Sequence, residues 1–426
     1  MNDFRTLFTK NNLFYSSTKK KVSVTSMTIK TDTATTTSYS GYFNVNETTN
    51  ANLFYWFFEA QTNASTAPFV IWLTGGPGCS SEMAIFYENG PFKINEDLSL
   101  ASNPYSWNLV SNILYVDSPV GTGFSYVEDP SGYSTNEVEV ASNLYSLLTQ
   151  FFEKYPQYAG LPFFVFGESY AGHYVPALSY YIFEQNKVSG VKKINLKGLA
   201  TGNAMVYPKV QYGSLGLMAY SHGLIDELVL KETDGLYSAC VQAIDSGNYN
   251  QSSEICNSII DTISAAAGPF NVYDVTKTCP SDLPLCYNFT LAQVYLDQPS
   301  VRQSLGIPSN VQWSMCSGTV YQDIIGDWFD TEVEHIPTLL EAGIDVLVYN
   351  GNLGWICNFI GSEQWVRDMK WKGQSQFNKS QRQIFWNGPT IAGWFNTYGG
   401  LTFMNIQNAG IDGLNYSTAS APEFIQ

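Results

Sequence analysis

The stretch Gly167-Glu168-Ser169-Tyr170-Ala171-Gly172 places a serine between a strand-like segment and a helix-like segment. It follows the apolar run Phe163-Phe164-Val165-Phe166 and precedes Ala177-Leu178-Ser179-Tyr180-Tyr181. A serine on such a sharp turn is exposed, and backbone N–H groups at the start of the helix can stabilise an oxyanion. The pattern is G-x-S-x-A, because Ala171 stands where a second glycine is usual. An incidental serine in a tight structural turn is the alternative interpretation.

A second stretch, Val70-Ile71-Trp72-Leu73-Thr74-Gly75-Gly76-Pro77-Gly78-Cys79-Ser80-Ser81, is another strand that runs into a glycine-rich loop. Glycines in such a loop let the backbone approach a substrate closely and direct N–H groups at it, as an oxyanion hole requires. Other apolar runs are typical of strands, among them Leu53 to Phe58, Phe69 to Leu73 and Asp345 to Tyr349, and they alternate with helical segments, notably Glu137 to Lys154. These features predict an α/β-hydrolase fold, with a mostly parallel sheet and helices on both faces.

Both loops resemble those of the serine carboxypeptidases, the family of carboxypeptidase Y. The resemblance runs from about Gly41 to Gly410 and includes further motifs in the family's order. These are Asn103-Pro104-Tyr105-Ser106-Trp107-Asn108, the segment from Val116 to Tyr126, Gly198-Leu199-Ala200-Thr201-Gly202-Asn203 and Ile356-Cys357-Asn358. The resemblance implies a hydrolase that releases the C-terminal residue of a peptide through an acyl-enzyme on Ser169.

The resemblance also implies roles for other residues. The oxyanion donors correspond to the backbone N–H groups of Gly76 and Tyr170. The positions that bind the terminal carboxylate of the substrate correspond to Thr74, Gly75, Glu88 and Glu168. Thr74 replaces an asparagine, so we expect weaker carboxylate binding. Two carboxyl groups beside a substrate carboxylate must share protons, which raises an apparent pKa and predicts binding at acidic pH.

The catalytic acid and base are missing from the positions where the resemblance places them. On this fold the triad runs in the order serine, acid, histidine. Aligned on the Ile-Cys-Asn motif, the family's aspartate corresponds to Gly354. The family's histidine follows an apolar strand and a small-Gly pair, which here end at Gly410, so its position is Ile411.

The chain contains only three histidines, His173, His222 and His335. His173 lies four residues beyond Ser169, so its ring should point back along the helix and pack beneath the turn. His335 has acidic neighbours only on its own local segment, which does not give the required order. We therefore expect no replacement base.

Composition excludes several functions. The chain has 426 residues, of which 44% are hydrophobic and 14% charged, as suits a globular protein with a substantial core. Its net charge of −16 would repel phosphate, so no nucleic-acid partner is expected. No apolar run is long enough to span a bilayer. We expect no metal and no organic cofactor, and the expected partners are peptide or protein C-termini.

The seven cysteines bear on the cellular compartment. Pairing six of them allows fifteen arrangements, and the sequence alone does not choose among these. The resemblance implies the disulfides Cys79–Cys316 and Cys279–Cys286 and a free thiol at Cys357 beside the substrate pocket, which leaves Cys240 to pair with Cys256. Disulfides predict an oxidising compartment. Together with the family, they predict a lysosomal, vacuolar or secreted protein.

Two further features concern secretion. Sequons for N-glycosylation occur at Asn46, Asn63, Asn250, Asn288, Asn378 and Asn415. The first 22 residues carry Lys19-Lys20-Lys21 and no continuous apolar segment, so no signal peptide is visible there.

The predicted organisation has four parts. Residues 1–36 are rich in Thr, Ser and Lys and are expected to form a mobile N-terminal arm. Residues 37–204 and 318–410 are expected to form the α/β-hydrolase core. The strand-helix alternation is lost in residues 205–317, which are expected to form a disulfide-containing lid, and residues 411–426 are a divergent tail.

The predicted function is that of a serine carboxypeptidase-like protein active at acidic pH. The alternative is a catalytically inactive homologue that binds peptide C-termini or protein partners, and Gly354 and Ile411 favour it. An acyltransferase on the same fold would need the same base.

Overall fold

The computed structural model describes residues 24–30 and 35–411. Its first strands are β1 (Val24–Lys30), β2 (Thr35–Asn46), β3 (Ala51–Phe58), β4 (Phe69–Leu73), β5 (Phe92–Ile94), β6 (Leu100–Ser102), β7 (Asn112–Val116) and β8 (Phe163–Glu168). The others are β9 (Leu196–Gly202), β10 (Phe270–Asn271), β11 (Asp274–Thr278), β12 (Asp345–Gly351), β13 (Gln383–Asn387), β14 (Thr390–Tyr398) and β15 (Leu401–Ile406).

The helices before β9 are α1 (Glu82–Tyr87), α2 (Glu137–Lys154) and α3 (Ala171–Gln185). Those after β9 are α4 (Pro208–Gln211), α5 (Leu215–Ser221), α6 (Glu227–Asp245), α7 (Tyr249–Ala267), α8 (Thr290–Leu296), α9 (Pro299–Leu305) and α10 (Gly318–Ile324). Three more complete the fold: α11 (Ile336–Glu341), α12 (Phe359–Asp368) and α13 (Gln374–Lys379).

Eleven of the strands form one sheet, in the order β1-β2-β3-β7-β4-β8-β9-β12-β15-β14-β13. The six strands from β7 to β15 in this order pair in parallel, and antiparallel strands flank them on both sides. The carboxyl ends of β4, β8, β9, β12 and β15 therefore lie along one edge of the sheet. Ligand sites of open α/β sheets occur at this edge. The predicted fold class is confirmed.

The central strands are apolar on both faces because helices cover both. In β3, Leu53, Tyr55 and Phe57 pack on one side with α2 and α3, and Phe54, Trp56 and Phe58 pack on the other with α1 and α8. Such double burial is typical of strands in the middle of an α/β sheet. The predicted strands and the helix from Glu137 to Lys154 occur where the sequence placed them.

The segment between β9 and β12, called the insertion, forms a third apolar cluster. Helices α5, α6 and α7 contribute most of it, and Trp355 and Cys357 from the loop after β12 complete it. Cys240 and Cys256 join α6 to α7 by a disulfide, and Cys279 and Cys286 form another after β11. The third disulfide, Cys79–Cys316, links the end of this segment to the glycine-rich loop.

Part of the segment predicted to be a mobile N-terminal arm forms a strand. Residues 24–30 form β1, which pairs antiparallel with β2 from Val24↔Gly41 to Lys30↔Thr35. The Thr-rich composition suggested low complexity, but threonine is β-branched and favours strands. Residues 1–23 and 31–34 of the arm, and residues 412–426 of the tail, lie outside the described residues.

Candidate active site

Ser169 sits at the turn between β8 and α3, where the sequence predicts a nucleophile. Its φ of 56° lies in the left-handed region, which non-glycine residues rarely adopt. The turn is tight, since a Cβ atom at Gly167 would lie 2.5 Å from the Leu73 carbonyl oxygen. The Ser169 N–H donates to the Gly202 carbonyl at 3.2 Å. The backbone thus holds the serine at the carboxyl end of the strand, as in a nucleophile elbow.

The glycine-rich loop after β4 packs directly against this turn. A Cβ atom at Gly75 would lie 2.5 Å from the Tyr170 nitrogen and 3.0 Å from Ser169 Cβ, so only glycine fits. Gly76 has a φ of 115°, which also favours glycine. The loop therefore brings Gly75, the residue before Gly76, beside the Tyr170 nitrogen. An oxyanion hole requires amides from two such loops to converge, and Gly76 and Tyr170 stay the expected donors.

Two of the residues expected to bind a substrate carboxylate, Glu88 and Glu168, act electrostatically on the phenol of Tyr349. Burial, and then the charges of Glu168 and Glu88, raise the pKa of Tyr349 well above its ordinary value. Its ring covers Gly202, the β9 partner of Glu168, because a Cβ atom there would lie 2.5 Å from the phenol oxygen. The charges of Glu88 and Glu168 thus both reach a buried tyrosine that the motif analysis did not identify.

Thr74, the fourth expected carboxylate contact, already has partners. Its hydroxyl accepts a hydrogen bond from Trp72 Nε1 at 3.0 Å, and its N–H donates to Ser81 Oγ at 3.3 Å. The side chain is buried. Thr74 therefore braces the loop, and its O–H can still donate to a carboxylate, so it stays with Gly75, Glu88 and Glu168 among the candidates.

Gly354 and Ile411, the positions expected for the acid and the base, are neighbours. A Cβ atom at Gly354 would lie 2.7 Å from Ile411 Cγ1 and 2.8 Å from Asn203 Nδ2. Ile411 is buried, and its N–H donates to the Tyr273 carbonyl at 2.9 Å. The loops after β12 and β15 thus meet at these residues, and an apolar side chain fills the space between them.

The three histidines make their contacts elsewhere. The ring of His173 is fully buried and stacks on Tyr170 at 4.4 Å, and burial lowers its pKa to about 4. His222 Nδ1 lies 3.0 Å from the Met218 carbonyl oxygen, and His335 stacks on Tyr180 at 4.3 Å. Within the part of the chain that the structure describes, none of these contacts is with the Ser169 side chain.

Cys357 lies in the loop after β12 and is buried in the third apolar cluster. Burial raises the pKa of its thiol to about 12. It lines a small pocket with Met205, Tyr212 and Leu215, and the Met205 N–H donates to the Ser169 carbonyl at 2.9 Å. An apolar pocket therefore adjoins the elbow, formed between the insertion and the loop after β12.

Residues 24–30 and 35–411 contain neither a cluster of metal ligands nor a helix that could span a membrane. No group of three or more His, Cys, Asp or Glu side chains there is placed to bind a metal ion. None of the helices found there has the length and apolar character needed to cross a bilayer.

The sheet, the elbow and the glycine-rich loop define the molecule as an α/β-hydrolase. The protein-family model described as Serine carboxypeptidase matches residues 29–417, which includes β2 and the first residues of the predicted tail. The chain is 58% identical over 375 residues to Serine carboxypeptidase S10 family member 1 of Dictyostelium discoideum, with 88% of this chain and 89% of that protein covered. The chain belongs to the serine carboxypeptidase family.

More distant relatives agree. Serine carboxypeptidase-like 47 of Arabidopsis thaliana is 42% identical over 378 residues, which cover 87% of this chain and 74% of that protein. Among solved structures, Kex1(delta)p, a prohormone-processing carboxypeptidase from Saccharomyces cerevisiae, has a TM-score of 0.83 at 24% identity and covers 92% of this chain and 90% of its own. That likeness concerns the fold.

Proposed function

We propose that this chain binds the free C-terminus of peptides in a serine carboxypeptidase site that lacks the acid and base for rapid turnover. The observation that carries the proposal is the contact between Gly354 and Ile411, where the family's aspartate and histidine would meet. Carboxypeptidase substrates are peptides, and membership of the family supports this class of ligand.

The binding half of the site supports the proposal. Gly75 lies against the elbow, and the charges of Glu88 and Glu168 both reach Tyr349. Two glutamates accept a third carboxylate only when protons are shared between them, so the affinity should rise as pH falls. A peptide amide, which lacks the terminal carboxylate, should bind weakly.

In the proposed site, the groups that would activate the serine are missing. A serine hydroxyl needs a neighbouring base to become a nucleophile at ordinary pH. Removing the serine or the histidine from a serine-protease triad lowers kcat by roughly 10⁶-fold, about 8 kcal/mol of barrier. Oxyanion stabilisation and substrate binding account for the slow catalysis that remains.

A second candidate function is active carboxypeptidase hydrolysis through a Ser169 acyl-enzyme. The intact elbow favours it, since the serine retains its strained backbone and its contacts with Gly202 and Met205. It requires a base from a group other than the three histidines.

We also propose that the protein resides in a lysosome-like or vacuolar compartment or is secreted. The three disulfides support this location, because disulfides form in the oxidising compartments of the secretory pathway. Four sequon asparagines are exposed on the described surface, Asn46, Asn63, Asn288 and Asn378.

Equilibrium binding of a peptide with a free C-terminus tests the proposal, with the same peptide as its C-terminal amide for control. Binding of the free acid should strengthen between about pH 7 and about pH 5, and the amide should bind at least ~10-fold more weakly. Equal affinity for acid and amide would refute a carboxylate site.

A further inference from the structure

Two buried carboxyl groups lie behind the glycine-rich loop and outside the site described above. Glu82 begins α1 and Asp117 follows β7, with 1% and 0% of their surfaces exposed. The Ser80 hydroxyl donates to Glu82 and the N–H of the next residue, Ser81, donates to Asp117, so both carboxyls lie beside the same turn. Two carboxyls buried side by side resist carrying two charges, which favours one proton held by the pair.

The contacts of Asp117 identify it as the acceptor. Its Oδ1 accepts from the Ser81 N–H at 3.0 Å, and its Oδ2 accepts from the Phe124 N–H at 2.7 Å. Gly123 lets the chain close over this carboxylate, since a Cβ atom there would lie 2.1 Å from Oδ2. Backbone N–H donors to both oxygens favour the ionised form of Asp117.

The contacts of Glu82 leave it to carry the proton. Its Oε2 accepts from the Ser80 hydroxyl and from Trp313 Nε1, the latter at 3.3 Å. Both of these donors lie at Oε2, so we assign the shared proton to the other oxygen of Glu82. Glu82 therefore connects α1 to the loop that contains Asp117 and to the segment that contains Trp313.

This pair is attached to the loop that packs on the elbow. The Ser81 hydroxyl donates to the Val116 carbonyl at 2.7 Å and accepts from the Thr74 N–H at 3.3 Å. On the other side, the Ser80 N–H donates to the Met315 carbonyl at 2.8 Å, next to the Cys79–Cys316 disulfide. Asp117 and Glu82 thus fix the end of the loop whose beginning lies against Ser169 and Tyr170.

We propose that Glu82 and Asp117 share one proton and that this pair is a positioning group, which holds residues 74–81 against the nucleophile elbow. The inferred role of the loop in substrate binding rests on the proposed function, but the shared proton does not. Burial raises the pKa of both carboxyls, and the neighbouring Asp117 raises that of Glu82 further.

Two other ionisable groups lie at this cluster. The Tyr42 hydroxyl, on β2, donates to the Phe124 carbonyl at 3.1 Å, and burial keeps its pKa high. The Arg302 guanidinium, on α9, lies 5.9 Å from the Phe124 ring and donates to the Pro308 and Val311 carbonyls. The Tyr42 phenol stays neutral between pH 5 and pH 8, because burial keeps its pKa high.

Thermal unfolding of the full chain, with Glu82→Gln as the variant, tests the proposal. A carboxyl whose pKa rises on folding stabilises most below its unfolded pKa, and this contribution is lost as pH rises through the folded value. Glutamine keeps an acceptor for Trp313 and a donor for Asp117 without a titrating proton. Between about pH 5 and about pH 8, the Tm of the wild type should therefore fall further than that of Glu82→Gln. The exposed Glu96→Gln is the control and should follow the wild type.

An equal fall in Tm for the wild type and Glu82→Gln would overturn the proposal. A Glu82→Gln chain that failed to fold at pH 5 would also overturn it, since an amide mimics the protonated acid. Because unfolding requires no peptide, neither result depends on whether the chain binds C-termini.

Discussion

Gly354 and Ile411 fit one another sterically. An aspartate there would place its Cβ 2.7 Å from Ile411 Cγ1, closer than real Cβ contacts. Isoleucine at 411 is compatible with glycine at 354, and the two residues pack against one another. Gly354→Asp alone would clash with Ile411. Ile411→His alone would leave the imidazole without a carboxylate to orient it.

The double variant Gly354→Asp with Ile411→His should therefore recover turnover that neither single variant recovers. We expect kcat for release of a C-terminal residue to rise by at least ~10³-fold, because an oriented base is the missing element of the triad. Steady-state release of that residue at acidic pH measures this. The same double variant with Ser169→Ala should show none of the gain, and a gain that survived Ser169→Ala would contradict the alignment.

Cys357 should be unreactive in the folded protein. Burial raises the pKa of its thiol to about 12, and the thiolate is the reactive species. Iodoacetamide labelling at pH 7.5 should be slow in buffer and rapid in denaturant, with one site labelled per chain as long as the disulfides stay intact. Cys357→Ser should abolish the labelling, and rapid modification of the native chain would contradict the assigned burial.

At the scale of elements, the strands and helices were predictable wherever the pattern of apolar residues is regular. The strands from Leu53 to Phe58 and from Phe69 to Leu73 were readable because both faces are apolar, and Glu137 to Lys154 because its apolar residues recur at helical spacing. Tyr349 was not identified as part of the site, since it ends a predicted strand and only the packing of β12 on β9 directs it at Glu168. The motif spacing located Gly354 and Ile411, and their mutual contact emerged only from the fold.

The insertion should depend on its own cross-link. Its apolar cluster is separate from those of the sheet, and Cys240–Cys256 closes a loop of 16 residues between α6 and α7. Replacing both cysteines by serine should lower the free energy of unfolding of this region by about 3 kcal/mol. Hydrogen exchange of α6 and α7 measures the change. Under reducing conditions the wild type and the variant should exchange alike, and protection unaffected by the replacement would contradict this account.

For the whole molecule, buried acids predict greater stability at acidic pH. Asp327 accepts from the Glu137 N–H at 3.0 Å, and burial, then Glu332 and Asp330, raise its pKa to about 7. Because the folded value lies above the unfolded one, this contribution is present below about pH 4 and is lost as pH rises through about 7.

Asp327→Asn should therefore reduce the loss of Tm between pH 5 and pH 8, since asparagine still accepts from Glu137 but does not ionise. Thermal unfolding of both proteins at each pH measures the difference. Asp97→Asn, at an exposed carboxyl, is the control and should behave as the wild type. A pH dependence unchanged by Asp327→Asn would show that Asp327 is not a source of it.

The central claim is that the Ser169 hydroxyl has no base and therefore does not turn over at the rate of its family. The most direct measurement is the rate at which the purified chain and its Ser169→Ala variant release the C-terminal residue of a peptide at acidic pH. We predict equal rates for the two proteins, roughly 10⁶-fold below the rate of an intact triad, because only oxyanion stabilisation and substrate binding remain. Rapid release by the chain, abolished by Ser169→Ala, would contradict the claim.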